Sequence, residues 1–389
     1  MENITKILNE KYSEVVLPNT VLLAVGMTMG AVGNIAIISL YVSRIKDKKG
    51  DRYFIPVLAF IDCLGCVANG SFYTTDNAFL FLYPSEVLCR VLIFLLTFAS
   101  GFSAHVLLVI ALQRYLLICR PFGKQLTLNK RRISLGIITV ACLGYACPLL
   151  GIGGIRHTNS TFLNQTFESH MCVLSVETSF GTLVYFGTMA LITVANILVT
   201  AGLYIPITRA IYRTFSFHKK NIYKDNKDRR ISDSQSSTQI SHISLSIEEI
   251  NVNQQQNISI HHPKGEIQQK SSRKEGRTIH RSNTDARKEK VKAKINLMFL
   301  IIILVYILSY IPTLGILIAT YTLSDFTYLE LSTAGINLWL FSARFLLLNH
   351  VINPFIYGYF DIKLRTEFEK LCCGFVKRKL DHSVDSQTT

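Results

Sequence analysis

Acidic residues are scarce in this chain. Its 389 residues include 26 Asp and Glu against 41 Lys and Arg, charged residues make up only 17%, and the formal net charge is +15. There is one tryptophan. No internal repeat is evident, which argues against a transporter built from duplicated halves. No Ser/His/acid set converges from the motifs, so hydrolase chemistry has no constellation to use and no catalytic residue is expected. No cleavable leader is expected either. Residues 1–17 are polar and the first apolar run is too long for a signal h-region, so the first span directs insertion. That polar segment is too short to fold as a ligand-binding domain.

The chain is rich in long apolar runs. Hydrophobic residues make up 49% of it and gather at roughly Pro18–Val42, Phe54–Leu80, Cys89–Leu117, Ile133–Ile155, Phe180–Ile205, Ile295–Tyr321 and Leu331–Phe360. Each run reaches the ~20 residues that a spanning helix needs. Prolines such as Pro56, Pro148, Pro312 and Pro354 are tolerated in such helices. The expected fold is an all-α membrane protein, a bundle of seven transmembrane helices. A few polar residues share one depth within it. Asn34 lies ten residues before Arg44, Asp62 ten after Arg52, and Asn353 ten before Lys363. At ~1.5 Å of rise per residue this is roughly 15 Å from a basic boundary, near the midplane of a ~30 Å hydrocarbon layer. Polar groups are expensive there, so they are expected to meet one another.

Lys and Arg set the orientation. The loop after span one carries Arg44, Lys46, Lys48, Lys49 and Arg52, and the loop after span three carries Arg120, Lys124, Lys130, Arg131 and Arg132. Arg156 stands alone in the fourth connection. The positive-inside rule places the basic loops in the cytoplasm and the N-terminus outside, in a multi-pass protein of the plasma membrane. The charge suits anionic membrane lipid; split among loops, it forms no nucleic-acid surface. N-x-S/T glycosylation acceptors at Asn3, Asn159 and Asn164 all fall outside. Of nine cysteines, only Cys89 and Cys172 fall at the outer face, where a disulfide would tie span three to the loop after span four. The alternative is two unrelated thiols.

Residues 1–17 are read as the outer N-terminus, 18–217 as spans one to five, 218–290 as a long disordered third cytoplasmic loop, 291–360 as spans six and seven, and 361–389 as an amphipathic helix and tail. The long loop is too poor in apolar residues to fold alone, although 205–217 and 288–294 read as helical extensions of spans five and six. Its Arg229-Arg230-Ile231-Ser232 and Lys270-Ser271-Ser272-Arg273 runs suit phosphorylation. In 361–371, Ile362, Leu364, Phe368 and Leu371 separate from Lys363, Arg365 and Lys370, a pattern suited to the membrane surface. Cys372 and Cys373 follow as palmitoylation candidates, the alternative being ordinary thiols.

Five motifs stand in order. They are Gly33-Asn34 in span one, Leu58-Ala59-Phe60-Ile61-Asp62 in span two, Gln113-Arg114-Tyr115 twenty-five residues after Cys89, Pro312 in span six, and Asn353-Pro354-Phe355-Ile356-Tyr357 in span seven. Together they resemble a rhodopsin-like (class A) G protein-coupled receptor, outside the long loop. The resemblance implies an extracellular ligand and a heterotrimeric G protein as partners, with arrestin and receptor kinases beside them, and no resident cofactor. It implies that Asp62, Ser103, Asn349, Asn353 and Asn34 form a buried sodium pocket, the alternative being a water-filled polar network. His350 is an oddity there, since a protonated imidazole opposes a cation. The resemblance also makes Arg114 the residue that meets the G protein, with Gln113, Tyr115, Tyr204, Asn353, Pro354 and Tyr357 completing the switch.

Several positions depart from the family pattern. Gln113 replaces the usual acid beside Arg114, and Lys292 stands where some members have an acid, so raised basal signalling is expected. Tyr306, Tyr310 and Asn196 replace a usual phenylalanine, tryptophan and proline. Leu96 stands where amine receptors have an aspartate, and residues 344–348 lack the lysine of opsins, so neither a biogenic amine nor retinal is the expected ligand. A peptide ligand is preferred by resemblance. Tyr73, Phe94, Leu96, Phe98, Tyr310, Trp339 and Arg344 are its candidate pocket, with Arg344 meeting an acidic group or instead pairing with Asp76 or facing a water-filled cleft. A non-signalling decoy receptor and a transporter are the rival functions.

Overall fold

The computed structural model describes residues 2–45, 52–177, 179–213, 269–322 and 327–370, with side chains described except at 2–3, 269–290, 317 and 320–322. The chain divides into two compact units, residues 1–207 with 294–389, and residues 208–293.

Helices long and apolar enough to cross a membrane run over Leu17–Ser43, Phe54–Ala78, Glu86–Cys119, Leu128–Ile152 and Phe180–Arg213, and over Val291–Ile316 within the helix Gln269–Thr322. The seventh span is a pair of helices, Thr333–Ala343 and Phe345–Phe360, bent by 47°. The break follows Arg344 and contains a 3-10 turn over Phe345–Leu347. This is the expected seven-helix bundle of a multi-pass membrane protein. Local chemistry starts several of the helices. Ser85, Thr127 and Ser332 each accept a hydrogen bond from a backbone N–H of the first turn, satisfying donors a helix start leaves open. Apolar side chains such as Val42, Val140 and Leu191 are exposed on the outside, as a lipid solvent favours.

The expected disordered loop falls mostly on 214–268, outside the described residues. From Gln269 the chain is helical and runs unbroken into span six, nineteen residues before the expected Lys288.

Two elements at the N-terminal end of the bundle go beyond the sequence-based expectation. The polar N-terminus forms a helix, Glu2–Val15. Thr5, Leu8, Asn9, Tyr12 and Val16 fall on one face at helical spacing, and all five are buried. The connection after span four forms two antiparallel strands, β1 (Gly154–Phe162) and β2 (Gln165–Val173). Leu163 and Asn164 both take positive φ at the two-residue turn. Both residues in that region is the geometry a tight right-twisted hairpin needs, and asparagine is suited to it. The Cys89–Cys172 disulfide forms, with its Cα atoms 5.7 Å apart.

The N-terminal helix and the hairpin share one apolar cluster. Leu8, Tyr12 and Val16 meet Phe81, Phe162, Phe167, Ile336 and Leu340. The Tyr12 ring lies 5.5 Å from Phe81 and 5.9 Å from Phe162. Burial pushes the Tyr12 phenol well above its usual range, with Tyr328 and Asp76 adding to the effect. Asn9 fixes the helix axially: its Nδ2 donates to the Ala78 carbonyl (2.8 Å) and its Oδ1 accepts from Phe81 N (3.0 Å). Thr5 Oγ1 donates to the Glu168 carbonyl of β2 at 3.1 Å. The bundle therefore has a capped end and, opposite it, a basic end.

At the basic end, residues 362–370 form the expected short helix. Asp361 is its N-cap, accepting from Lys363 N at 3.0 Å. Its carboxylate, 1% exposed, also pairs with Arg52 Nε at 2.6 Å.

Candidate functional site

The midplane residues converge. Asp62 has no exposed surface, accepts two hydrogen bonds and meets an imidazole nitrogen. Ser103 Oγ donates to its Oδ1 at 3.0 Å, Asn353 Nδ2 to its Oδ2 at 2.7 Å, and His350 Nδ1 lies 2.8 Å from Oδ1. Asn349 Nδ2 donates to Ser103 Oγ at 3.3 Å, and Asn34 Nδ2 to the His350 carbonyl at 3.0 Å. The imidazole reaches Asp62 because residue 65 is glycine. A Cβ there would lie 2.7 Å from His350 Nδ1.

In the expected sodium pocket, protein groups compete for the carboxylate. A cation must face lone pairs, whereas here both Asp62 oxygens face N–H and O–H donors. The His350 imidazole stands against Asp62 Oδ1, the oxygen Ser103 also meets. The amide oxygens of Asn34, Asn349 and Asn353 are buried in the same layer without a protein donor.

Arg114 differs from expectation in its surroundings. The sequence predicts a guanidinium within reach of water, but the residue is only 2% exposed. Its Cζ stands 4.0 Å from the centroid of the Phe299 ring on span six. Phe299 also holds Tyr204, whose hydroxyl donates to the Phe299 carbonyl at 3.3 Å. Gln113 is buried, Tyr115 half-buried, and Tyr357 fully buried. The proline of the Asn353-Pro354 pair is accommodated inside the helix Leu348–Phe360. An aromatic face is a partner for a cation, and no motif points to it.

Toward the capped end, a cavity of about 190 Å³ opens between spans three, four, five, six and seven. Leu96 and Tyr310 line it as expected. Ser100, His105, Tyr145, Asn196 and Tyr306, which the sequence did not single out as pocket, line it too. No carboxylate, lysine or arginine is among its described lining residues. Tyr306 donates to Asn196 Oδ1 at 2.7 Å. Asn196 is 5% exposed and its Nδ2 has no partner among the described residues. Tyr145 reaches the cavity because residue 101 is glycine: a Cβ there would collide with the phenol oxygen.

The remaining expected pocket residues lie elsewhere. Arg344 is buried and pairs with Asp76 at 3.0 Å, while its Nη1 donates to Asn19 (2.6 Å) and Asn77 (2.8 Å). Tyr73 lies beneath that guanidinium, 4.6 Å from ring centroid to Cζ. Arg344 lines a separate, mostly apolar cavity of about 160 Å³ between spans one and seven. Phe94 and Phe98 stack on each other 6.0 Å apart, and Trp339 stacks on Tyr328. The expected pocket is thus split in two, because Asp76, Asn19 and Asn77 hold Arg344 away from the central cavity. Asn159 and Asn164 are exposed on the hairpin; the side chain of Asn3 and both Cys372 and Cys373 lie outside the described residues.

Seven spans, a polar midplane, a buried arginine at the basic end of span three and a cavity toward the other end define a seven-helix receptor. The family model described as "7 transmembrane receptor (rhodopsin family)" matches residues 33–357. The chain belongs to that family. It is 29% identical over 176 residues to the prostaglandin E2 receptor EP2 subtype of Canis lupus familiaris, an alignment covering 38% of this chain and 48% of that receptor. The chain spans about half the length of this curated relative.

Proposed function

We propose that this receptor takes an extracellular ligand in the cavity lined by Asn196, Tyr306 and Tyr310 and activates a heterotrimeric G protein at its basic end. The N-terminus is then outside and the membrane is the plasma membrane. The observation that carries this is that Phe299, Tyr306 and Tyr310 all lie on span six. Phe299 covers Arg114, and the two tyrosines line the cavity. Seven and eleven residues separate them from Phe299, roughly 10 and 16 Å along the helix. A ligand that displaces the tyrosines shifts a rigid element whose other part covers the arginine, which is a two-state coupling. Arrestin and receptor kinases are further cytoplasmic partners in this reading.

The cavity favours one side of the ligand question. Its 190 Å³ is smaller than the ~300–1,000 Å³ of a typical ligand pocket, so it takes the tip of a ligand. A peptide would place one uncharged side chain there, with a hydrogen-bond acceptor at Asn196 Nδ2, and lie otherwise against the capped end. A second reading rests on Arg344, whose buried guanidinium ends an apolar cavity. That arrangement suits a small amphipathic acid, and the relative named for prostaglandin E2 gives it support. A screen of peptides and acidic lipids on cells expressing the receptor, with a broad G-protein readout and Arg114→Ala as control, tests both. Asn196→Leu should abolish a peptide response and spare an acid response. Arg344→Gln should do the reverse. An agonist response that survives Arg114→Ala would count against the signalling mechanism.

A further inference from the structure

We propose that the hairpin after span four carries a binding site for a transition-metal dication, zinc above all, formed by His157, Glu168 and His170. The site goes beyond the receptor function. Only the side of the membrane from which the metal arrives depends on the orientation proposed above.

The hairpin register brings the three together. His157 and His170 are direct cross-strand partners, and Glu168 precedes His170 by two residues on β2. Side chains two apart on a strand share a face, so both imidazoles and the carboxylate project from the same side. One ligand atom from each lies within 4.8 Å of the others. The imidazole centroids are 4.3 Å apart and His170 Nε2 is 3.8 Å from Glu168 Oε1. Tetrahedral zinc holds its ligands at ~2.0–2.2 Å, which sets donor atoms about 3.4 Å from one another. Rotation of these side chains supplies the difference, since His157 and Glu168 are exposed and His170 is half-buried.

The opposite face of the hairpin explains why these histidines stay outside. Ser160, Phe162, Phe167 and Ser169 are buried there, so no twist of the strands can bring the imidazoles into the core. The backbone beneath the site is fixed. His170 N donates to Phe81 O at 2.8 Å and its carbonyl accepts from Tyr83 N at 2.9 Å. The Glu168 carbonyl is held by Thr5, and Cys172 is disulfide-bonded two residues further on. A preformed scaffold with two nitrogens and one carboxylate oxygen suits zinc. Magnesium and calcium prefer shells of oxygen alone. A fourth position remains open to water or to a ligand group. Bound metal would clamp β1 to β2 and stiffen the surface on which the N-terminal helix rests. Asn159 faces Glu168 across the strands and is a glycosylation acceptor, so a glycan there borders the site.

The test uses the purified full-length receptor. Zinc chloride is titrated against a chromophoric chelator, and thermal unfolding is followed with and without zinc. Wild type should bind one more equivalent of zinc than His157→Ala or His170→Ala, or bind it with about tenfold or greater affinity over them. Zinc should raise the melting temperature of wild type and not that of either variant. His157→Ala should melt like wild type without zinc, because it removes only an exposed side chain, and the zinc effect in His170→Ala is read against that variant's own zinc-free melting. Magnesium and calcium should give no shift. Equal zinc stoichiometry and affinity in wild type and both variants would overturn the proposal. So would zinc binding that appears only in Asn159→Gln, which would show that the glycan closes the site in the native receptor.

Discussion

His350 Nδ1 lies 2.8 Å from Asp62 Oδ1, and neither residue has any exposed surface. The imidazole stands against the carboxylate where the sequence pattern suggests a sodium ion. Its Nε2 faces Ser100 Oγ at 3.4 Å, so it is held on both sides. The carboxylate is engaged from within the protein by Ser103, Asn353 and His350. The melting temperature of the wild-type receptor should therefore be the same in sodium chloride as in choline chloride. His350→Ser removes the ring and leaves Asp62, Ser103, Asn349 and Asn353 around a vacated space of suitable oxygen chemistry. That variant should be stabilised by sodium over choline. A sodium-dependent shift in the wild type, or none in the variant, would refute the substitution.

Arg114 is held by an aromatic face. With Gln113 beside it and Lys292 in place of an acid, one restraint on it comes from Phe299 on span six. A desolvated cation–π contact contributes roughly 1–2 kcal/mol, enough to change a two-state population several-fold. Phe299→Leu keeps an apolar side chain and loses the ring, so ligand-independent G-protein signalling should rise several-fold at equal surface expression. Gln113→Glu adds the missing carboxylate and should lower it. Basal output that ignores both changes would show that Arg114 does not set the resting state.

Some of this architecture can be read from residue spacing and some cannot. The seven spans follow from apolar length. The meeting of Asp62, Ser103 and Asn353 follows from their common depth, because lipid penalises any other arrangement. Leu8, Tyr12 and Val16 carry a helical stripe that a periodicity argument can find, but what covers that stripe lies far along the chain, in Phe81, Phe162 and Leu340. The hairpin alternates polar residues on both faces, so its burial is set by the N-terminal helix rather than by its own pattern. The pairing of Arg114 with Phe299 joins residues of two helices through a ring that no motif marks. The split of the ligand region is similar: Asp76 is a visible partner for Arg344, while Asn19 and Asn77 are ordinary amides until the spans are side by side.

Asp361 joins two roles that one substitution can separate. It caps the helix 362–370 through backbone N–H groups, and it pairs with Arg52. Asn caps helices as well as Asp, so Asp361→Asn keeps the cap and removes the charge. Loss of one member of a mostly buried pair costs on the order of 3 kcal/mol. The variant should melt several degrees below wild type while circular dichroism shows the same helix content. Asp361→Ala should lose the cap as well and melt lower still. Equal melting of wild type and Asp361→Asn would place the stabilisation in the cap alone.

Tyr12 holds the N-terminal helix to the bundle. Its side chain is fully buried between Phe81 and Phe162, and truncating a buried aromatic to alanine costs about 3–5 kcal/mol. The helix is 14 residues long. Isolated helices of that length are marginal in water, so most of its order comes from this contact and from the Asn9 and Thr5 hydrogen bonds. The loss in Tyr12→Ala therefore exceeds what the remaining contacts can offset locally, and the helix should undock while the spans stay folded. Hydrogen exchange should rise across 2–15 and at Phe81 N, which donates to Asn9 Oδ1, with spans one to seven unchanged. Tyr12→Phe retains the ring that packs between Phe81 and Phe162 and should exchange like wild type. Exchange confined to wild-type levels in Tyr12→Ala would mean that the Asn9 and Thr5 hydrogen bonds dock the helix without the ring, and the Thr5→Ala, Asn9→Ala double variant would then be the one that releases it.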